Sequence, residues 1–267
     1  MTISPRTLRL AALLAGLALF LSIESLRPRR AWHAPRSRRL LFHGGIAAFN
    51  AALLQLAWAA PLAALVLTVR DRGWGIAGFL RLSGISEILV SLVVLDFLDY
   101  LWHRANHVVP TLWRFHSAHH VDTHVDVTTS LRFHPGELLL SGGAKAIWIV
   151  VWGPSLWAFA IFEMMITVAA QLHHSNIDFP DGVEPAVRLF GVTPRMHASH
   201  HSARTRSLDA NFATIFSIWD RLLGSYVDPT AEHLVEQGLW FGRESDLSLS
   251  YVLKMPFAPR TPRPEAR

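Results

Sequence analysis

Of the fifteen histidines in the chain, most are grouped. His103 and His107 stand four residues apart, which places them on one face of any helix. His116, His119 and His120 follow at i, i+3 and i+4, and the same spacing recurs at His197, His200 and His201. His173 and His174 form a further pair. One such triplet is compatible with chance; two triplets and two pairs in one chain point to a shared metal site. The clusters hold ten imidazoles, whereas a structural zinc takes about four ligands. Two ions with about four or five imidazoles each would use the set. Imidazole suits iron, zinc, copper and nickel, while an oxygen-rich magnesium or calcium site would not use so many nitrogens. Cysteine is absent, which removes thiolate ligands, disulfides and thiol nucleophiles. Asp99 lies four residues before His103 and is placed to orient that ring, as carboxylates do behind ligating imidazoles. His33, His43, His124 and His233 fall outside the pattern and read as surface or loop residues.

The elements that carry these histidines are apolar. Hydrophobic residues make up 51% of the 267 and charged ones 17%, against about 25% in soluble domains. This excludes a disordered chain. The net charge of +5 is carried almost wholly by arginine, since Lys145 and Lys254 are the sole lysines. In so apolar a chain a basic balance points to a membrane surface and not to nucleic acid. Leu8 to Ile23, apolar apart from Arg9 and Ser22, reads as a retained span: Arg6 and Arg9 could open a signal peptide, but no small-x-small cleavage site follows Leu21. Ile46 to Val69 is 24 residues without a charge, enough to cross about 30 Å of hydrocarbon, with a kink predicted at Pro61. Ser83 to Trp102 forms a third span. Leu138 to Leu172 is too long for one span and short for two. It reads as a tight hairpin turning near Gly153, with Lys145 reaching toward the surface. Glu163, an acid within that hairpin, is open to a functional or a structural reading.

The loop bearing Arg27, Arg29, Arg30, Arg36, Arg38 and Arg39 contains no acid, which places it in the cytoplasm. Counting crossings brings His103 and His174 to the same side. The expected architecture is an all-α integral membrane protein of about four transmembrane helices, the last two a tight hairpin or split element, with a cytosolic helical cap. Residues 1–83 hold the N-terminal spans and basic loop. Residues 84–226 hold the histidine core, with the membrane hairpin at 138–172. Residues 227–267 form a C-terminal segment, disordered over Met255 to Arg267. Asn211 to Leu223 reads as a partly buried helix.

The histidine set is flanked by Asp96-Phe-Leu-Asp-Tyr-Leu-Trp-His103-Arg, Leu112-Trp-Arg-Phe-His116, Thr128-Thr-Ser-Leu-Arg-Phe-His134-Pro, His174-Ser-Asn, Pro194-Arg-Met-His197 and Trp219-Asp220-Arg-Leu-Leu-Gly224. Together, over roughly Glu87 to Tyr226, these resemble the fatty acid hydroxylase/sterol desaturase superfamily of membrane di-iron enzymes. The resemblance implies a cap holding two irons, with zinc able to replace them in purified protein. It implies O2 as co-substrate and hydroxylation or desaturation of a bilayer lipid: fatty acyl, sterol-like or carotenoid-like. The ligands it implies are His103, His107, His116, His119, His120, His174, His197, His200 and His201. His134, at the family's His-Pro position, is a further ligand or a close neighbour. Asp99, His173 and Asn176 are candidates for supporting the ligands. A separate ferredoxin- or cytochrome b5-like donor with its reductase is expected, in a bacterial inner membrane with the histidines on the cytoplasmic side. His134-Pro-Gly-Glu is similar to a haem motif of cytochrome b5-like domains, but the small domain around that motif is missing. Two other readings of the residues are a zinc-dependent membrane hydrolase and a non-enzymatic metal-binding protein. Ligands at helix ends, and not near a midplane, count against transport.

Overall fold

The long apolar runs become long helices in the computed structural model, which describes residues 4–32, 35–203, 205–229, 236–259 and 261. Among the described residues no β-strand forms; two isolated bridges pair Gly191 with Phe216 and Ser202 with Gln237. Helix α1 (Pro5–Leu26) starts at Ser4, whose hydroxyl accepts from the Thr7 amide. Helix α2 (Arg36–Leu54) continues through a π-helical turn (Gln55–Ala59) into α3 (Ala60–Asp71). Pro61 has no N–H to give the preceding turn, and the wider π turn takes up the mismatch where a kink was predicted. After the short α4 (Gly75–Phe79) comes α5 (Gly84–Val108), which Pro110 ends by forcing Val109 into extended backbone. Helix α6 (Pro110–His120), a 3-10 turn (Val127–Leu131), α7 (Pro135–Trp152) and α8 (Leu156–His174) follow.

The hairpin between α7 and α8 turns at Gly153, whose φ of 77° suits glycine. A Cβ there would lie 2.5 Å from the Trp74 carbonyl oxygen, and one on Gly75 would lie 2.6 Å from the Gly153 nitrogen. Two turns therefore meet backbone to backbone. Beside them the Glu87 carboxylate of α5 accepts from the Ser155 amide (2.8 Å) and hydroxyl (2.7 Å). This pins the ends of α3, α5, α7 and α8 that lie away from the histidines. At the other end, Asn176 binds Arg30, and Arg39 binds Asp122 and Asp126. So α1, α5 and α8 run toward the histidines, while α2–α3 and α7 run away from them.

Three helices are long and apolar enough to cross a membrane: Thr7–Leu26, Arg36–Phe79 and Leu156–His174. Their outward faces present side chains such as Leu14, Leu56 and Leu67 to the surroundings. Helices α5 and α7 are of similar length but carry Glu87, Asp96, Asp99, Glu137 and Lys145. Glu163 lies between Lys145 of α7 and Arg9 of α1, the latter at 3.0 Å, so its charge ties three helices together.

The remaining chain builds the cap: α9 (Glu184–Phe190), α10 (Pro194–His200), α11 (Thr205–Leu208), α12 (Ile218–Leu222) and α13 (Leu249–Lys254), the last running into a 3-10 turn (Met255–Phe257). The helix predicted over Asn211 to Leu223 is confined to α12; Asn211 has a φ of 57°, and the segment before α12 is an irregular strap. Disorder was predicted from Met255, yet Met255 and Pro256 are buried. Residues 260 and 262–267, with His33 and His233, lie outside the described residues.

Candidate metal centre

Helix α5 brings His103 and His107 to its last turns, α6 brings His116, His119 and His120, α8 ends on His174, and α10 carries His197 and His200 with His201 as its cap. These nine sort into two groups. His103, His107, His116, His120 and His200 each place one ring nitrogen within 4.8 Å of the others; His119, His174, His197 and His201 do the same. The sequence pattern suggested that each triplet points one way. Instead each is shared. In α6 the i, i+4 pair His116 and His120 enters the first group and His119 the second; in α10 the pair His197 and His201 enters the second and His200 the first.

The hydrogen bonds behind the rings decide what the groups can hold. The Nδ1 of His103 donates to the Phe212 carbonyl (2.7 Å), that of His200 to Ala210 (2.7 Å) and that of His116 to the Glu137 carboxylate (2.7 Å). The Nδ1 of His119 donates to Arg132 (2.9 Å) and that of His174 to Ala170 (2.7 Å). A neutral imidazole that donates through Nδ1 keeps a bare lone pair on Nε2. Yet the Nε2 atoms of His103 and His200 are 3.2 Å apart, and those of His119 and His174 are 3.0 Å apart. His174 Nε2 also lies 3.0 Å from His197 Nε2. Neither neutral partner has a proton to share in the first two pairs. Protonating one ring would supply it, but burial first, and neighbouring rings second, hold His119 and His200 well below the ordinary imidazole value. Burial and ring neighbours do the same to His120, His197 and His201. Converging lone pairs in a buried nest fit a metal cation.

The strap from Ala210 to Ser217 aims two of those carbonyls, and little in its residue types marks it out. Asp220 accepts from the amides of Phe212 (2.8 Å) and Ala213 (3.0 Å) and from the Ser225 hydroxyl (2.7 Å). Burial raises the Asp220 carboxyl to about 6, against these hydrogen bonds. Asp96 accepts from the amides of Ile215 and Phe216 and from the Trp219 indole. Because its backbone groups serve these side chains, the strap cannot be helical.

Four sequence assignments change. Asp99 does not touch His103. It lies one turn further from the nest and accepts from the Thr214 hydroxyl (2.7 Å), while the strap takes the ring proton. Asn176 bonds Arg30 and no imidazole, bracing the end of α8 against the loop after α1. His134 stands outside both groups. Its Nδ1 accepts from the Gly136 amide as the cap of α7 (2.9 Å), and its Nε2 faces the Leu253 carbonyl (3.3 Å), so neither nitrogen is left to ligate. His43 and His124 are both buried; His124 lies in the loop after α6, as read, whereas His43 sits within α2 and joins Thr128 (2.6 Å) and Arg132 (3.3 Å). His173 lies against His197, ring centroids 3.9 Å apart, and hydrogen-bonds the backbone of Thr214.

Two further residues matter that the sequence reading passed over. Glu137 backs His116, and its signal was the acid one turn into the helix that His134-Pro opens. Arg39 is buried and binds both oxygens of Asp122 (2.9 Å each) and one of Asp126 (2.6 Å), which fixes the chain just after His120. Burial alone would raise the Asp122 carboxyl, but the Arg39 charge overrides it and holds Asp122 well below the usual range.

Fold and site together define a helical protein with membrane-length apolar rods and two buried histidine nests at one end. Residues 88–225, more than half of the chain, match the fatty acid hydroxylase family, and the chain belongs to it. All nine clustered histidines and the strap fall within the matched stretch. Among curated relatives, an ornithine lipid hydroxylase of Rhizobium tropici is 30% identical over 57% of this chain and 45% of its own length. A very-long-chain aldehyde decarbonylase of Oryza sativa is 30% identical over 57% of each chain. An alkylglycerol monooxygenase of Caenorhabditis elegans is 27% identical over 49% of this chain and 25% of its own. The chain thus spans about half, or less, of the relatives it matches. No solved structure matches.

Proposed function

We propose that this protein is a non-haem di-iron oxidoreductase that uses O2 to hydroxylate or desaturate a membrane lipid. The observation that carries the reading is the pairing of bare Nε2 lone pairs in both buried nests. One iron would be held by His103, His107, His116, His120 and His200, the other by His119, His174, His197 and His201. Bound iron supplies the one-electron chemistry that turns O2 against an unactivated C–H bond, which zinc, without a redox cycle, does not.

The chain's own residues set the conditions for that chemistry. The carbonyls of Ala210, Phe212 and Arg132 fix ring tautomer and orientation, and Glu137 adds a carboxylate behind His116. Burial of the nests keeps water away from a reactive site. The apolar rods bring the lipid to the cap from the bilayer. That the relatives are named for ornithine lipids, very-long-chain aldehydes and alkylglycerols supports a lipid substrate. Hydroxylation consumes one O2, two electrons and two protons, and leaves one oxygen in the product and one in water. A separate ferredoxin- or cytochrome b5-like donor with its reductase would supply the electrons. The arginine-rich loop supports a cytoplasmic position for the histidine end, in a bacterial inner membrane.

The test compares iron- and zinc-loaded protein in lipid, with a reductase system and isotopically labelled O2. Label in a lipid product supports hydroxylation; an unlabelled unsaturated product with O2 consumed supports desaturation. Equal, O2-independent turnover with zinc would replace this reading with a metallohydrolase.

A further inference from the structure

A cavity of about 520 Å³ lies between α6 and the α13 segment and ends on His107. Its size is that of a small-molecule site. His107 belongs to the five-histidine nest. Beside it stands Trp113, with ring centroids 5.1 Å from His107 and 5.6 Å from His120. Phe241, Tyr251 and Met255 continue the apolar lining. Asp209, the acid of the lining, sits at the inner end, 3.5 Å from His107.

Two cations share this cavity. Arg114 gives one N–H to the Pro256 carbonyl (2.7 Å), and Lys254 is exposed. Among the described residues neither cation is paired with a carboxylate, whereas Lys145, Arg39 and Arg195 all are. Apolar side chains are exposed at the cavity as well: Val108, Leu253 and Phe257, the last by 76%. Val108, at the end of α5, lines the cavity, and Leu253 and Phe257 neighbour its lining residues Lys254, Met255 and Ala258 in the chain. Apolar side chains beside long cationic ones are the pattern of a membrane–water interface.

We propose that this cavity binds a single-chain amphiphile with an anionic head, the head held by Arg114 and Lys254 and the apolar chain directed past Trp113 toward the five-histidine nest. A neutral polycyclic lipid would leave both cations unanswered, so the chemistry favours a carboxylate or phosphate head on an acyl or alkyl chain. The inference deepens the lipid-oxidising reading and rests on it.

The test uses the full chain in phosphatidylcholine vesicles and a palmitate probe carrying a photoreactive diazirine near its methyl end. Mass spectrometry is expected to map adducts to the peptides of Trp113, Tyr251 or Met255. Palmitate and lysophosphatidate are the competitors that separate a carboxylate from a phosphate head, and hexadecanol is the neutral control. Lys254→Glu is expected to weaken competition by the preferred anion about tenfold and that by hexadecanol less than about twofold. Among the described residues Lys254 holds no side-chain partner whose loss would unfold the cap, and metal content on the same samples checks the nest. Ala258→Trp, which narrows the lining, is a second variant expected to reduce adducts. Adducts confined to α1 or α8, or equal effects of Lys254→Glu on anion and alcohol, would overturn the proposal. If the adducts map as expected but iron and O2 support no oxidation, the lipid-oxidising reading fails and the binding site stands. If oxidation proceeds without these adducts, the site alone fails.

Discussion

A single imidazole tells little; what hydrogen-bonds its far nitrogen tells which histidines can hold a cation. His119 has its Nδ1 on a carbonyl and its Nε2 in a nest, while His134 uses both nitrogens to cap a helix and meet a carbonyl. His119→Ala and His200→Ala are therefore expected to lower bound metal, measured per folded chain by elemental analysis. His134→Ala should leave the metal in place and cost about 1 kcal/mol of stability through the lost cap. Metal lost equally from all three variants would contradict the two-nest assignment. Asp220 offers a pH signature away from the ligands. Its carboxyl is raised by burial from 3.8 to about 6, so between those values the folded chain keeps a proton that the unfolded chain releases. Its contribution is fully present below about 4 and is lost as the pH rises through about 6. In thermal melts, the advantage of the parent over Asp220→Asn should shrink across that interval. A difference that grows with pH would mean that the carboxylate, not the acid, is the form the strap prefers.

Between residues and molecule lie the elements, and here the sequence was unevenly legible. Spacing of four along a helix is set by geometry alone, so the histidine clusters and the hairpin at Gly153 could be read without a structure. The sorting of each triplet between nests could not, because it depends on how α6 and α10 face each other. The strap differs from the helix expected because Asn211 to Leu223 has an ordinary helical composition, while its conformation is decided by Asp96 and Asp99 on α5 and by Asp220, which folds back on it from α12. Likewise Arg39 counted as a mark of membrane sidedness, yet it is a buried partner of two aspartates. Glu163 was open between function and structure, and its two cationic partners favour structure. Glu163→Gln would leave Lys145 and Arg9 unpaired; because both cations are partly exposed, the loss is expected to be smaller than the about 3–5 kcal/mol of a fully buried pair. Adding Lys145→Gln should recover part of that loss in a denaturation series. Full activity and unchanged stability in the single variant would mean the cluster is dispensable.

The whole molecule places every histidine nest at one end of its rods. Reporter fusions at Arg38, Asp71 and Leu249 are expected to read cytoplasmic, external and cytoplasmic, since α2–α3 carries the chain away from the cap and an even number of crossings returns it. An external reading at Leu249 would split the nests across the membrane and contradict their burial together. The sharing of each triplet between nests also governs how the protein is made. The first nest needs His103 and His200, and the second needs His119 and His201, so neither closes until α10 has left the ribosome and the α7–α8 hairpin has folded beside α5. Until then the rings of α5 and α6 wait without their partners. On the proposed metal reading, metal acquisition would be a late event, and a chain short of metal would stay open to the proteases that police membrane proteins. Cellular abundance, and not turnover alone, would then follow the supply of the ion.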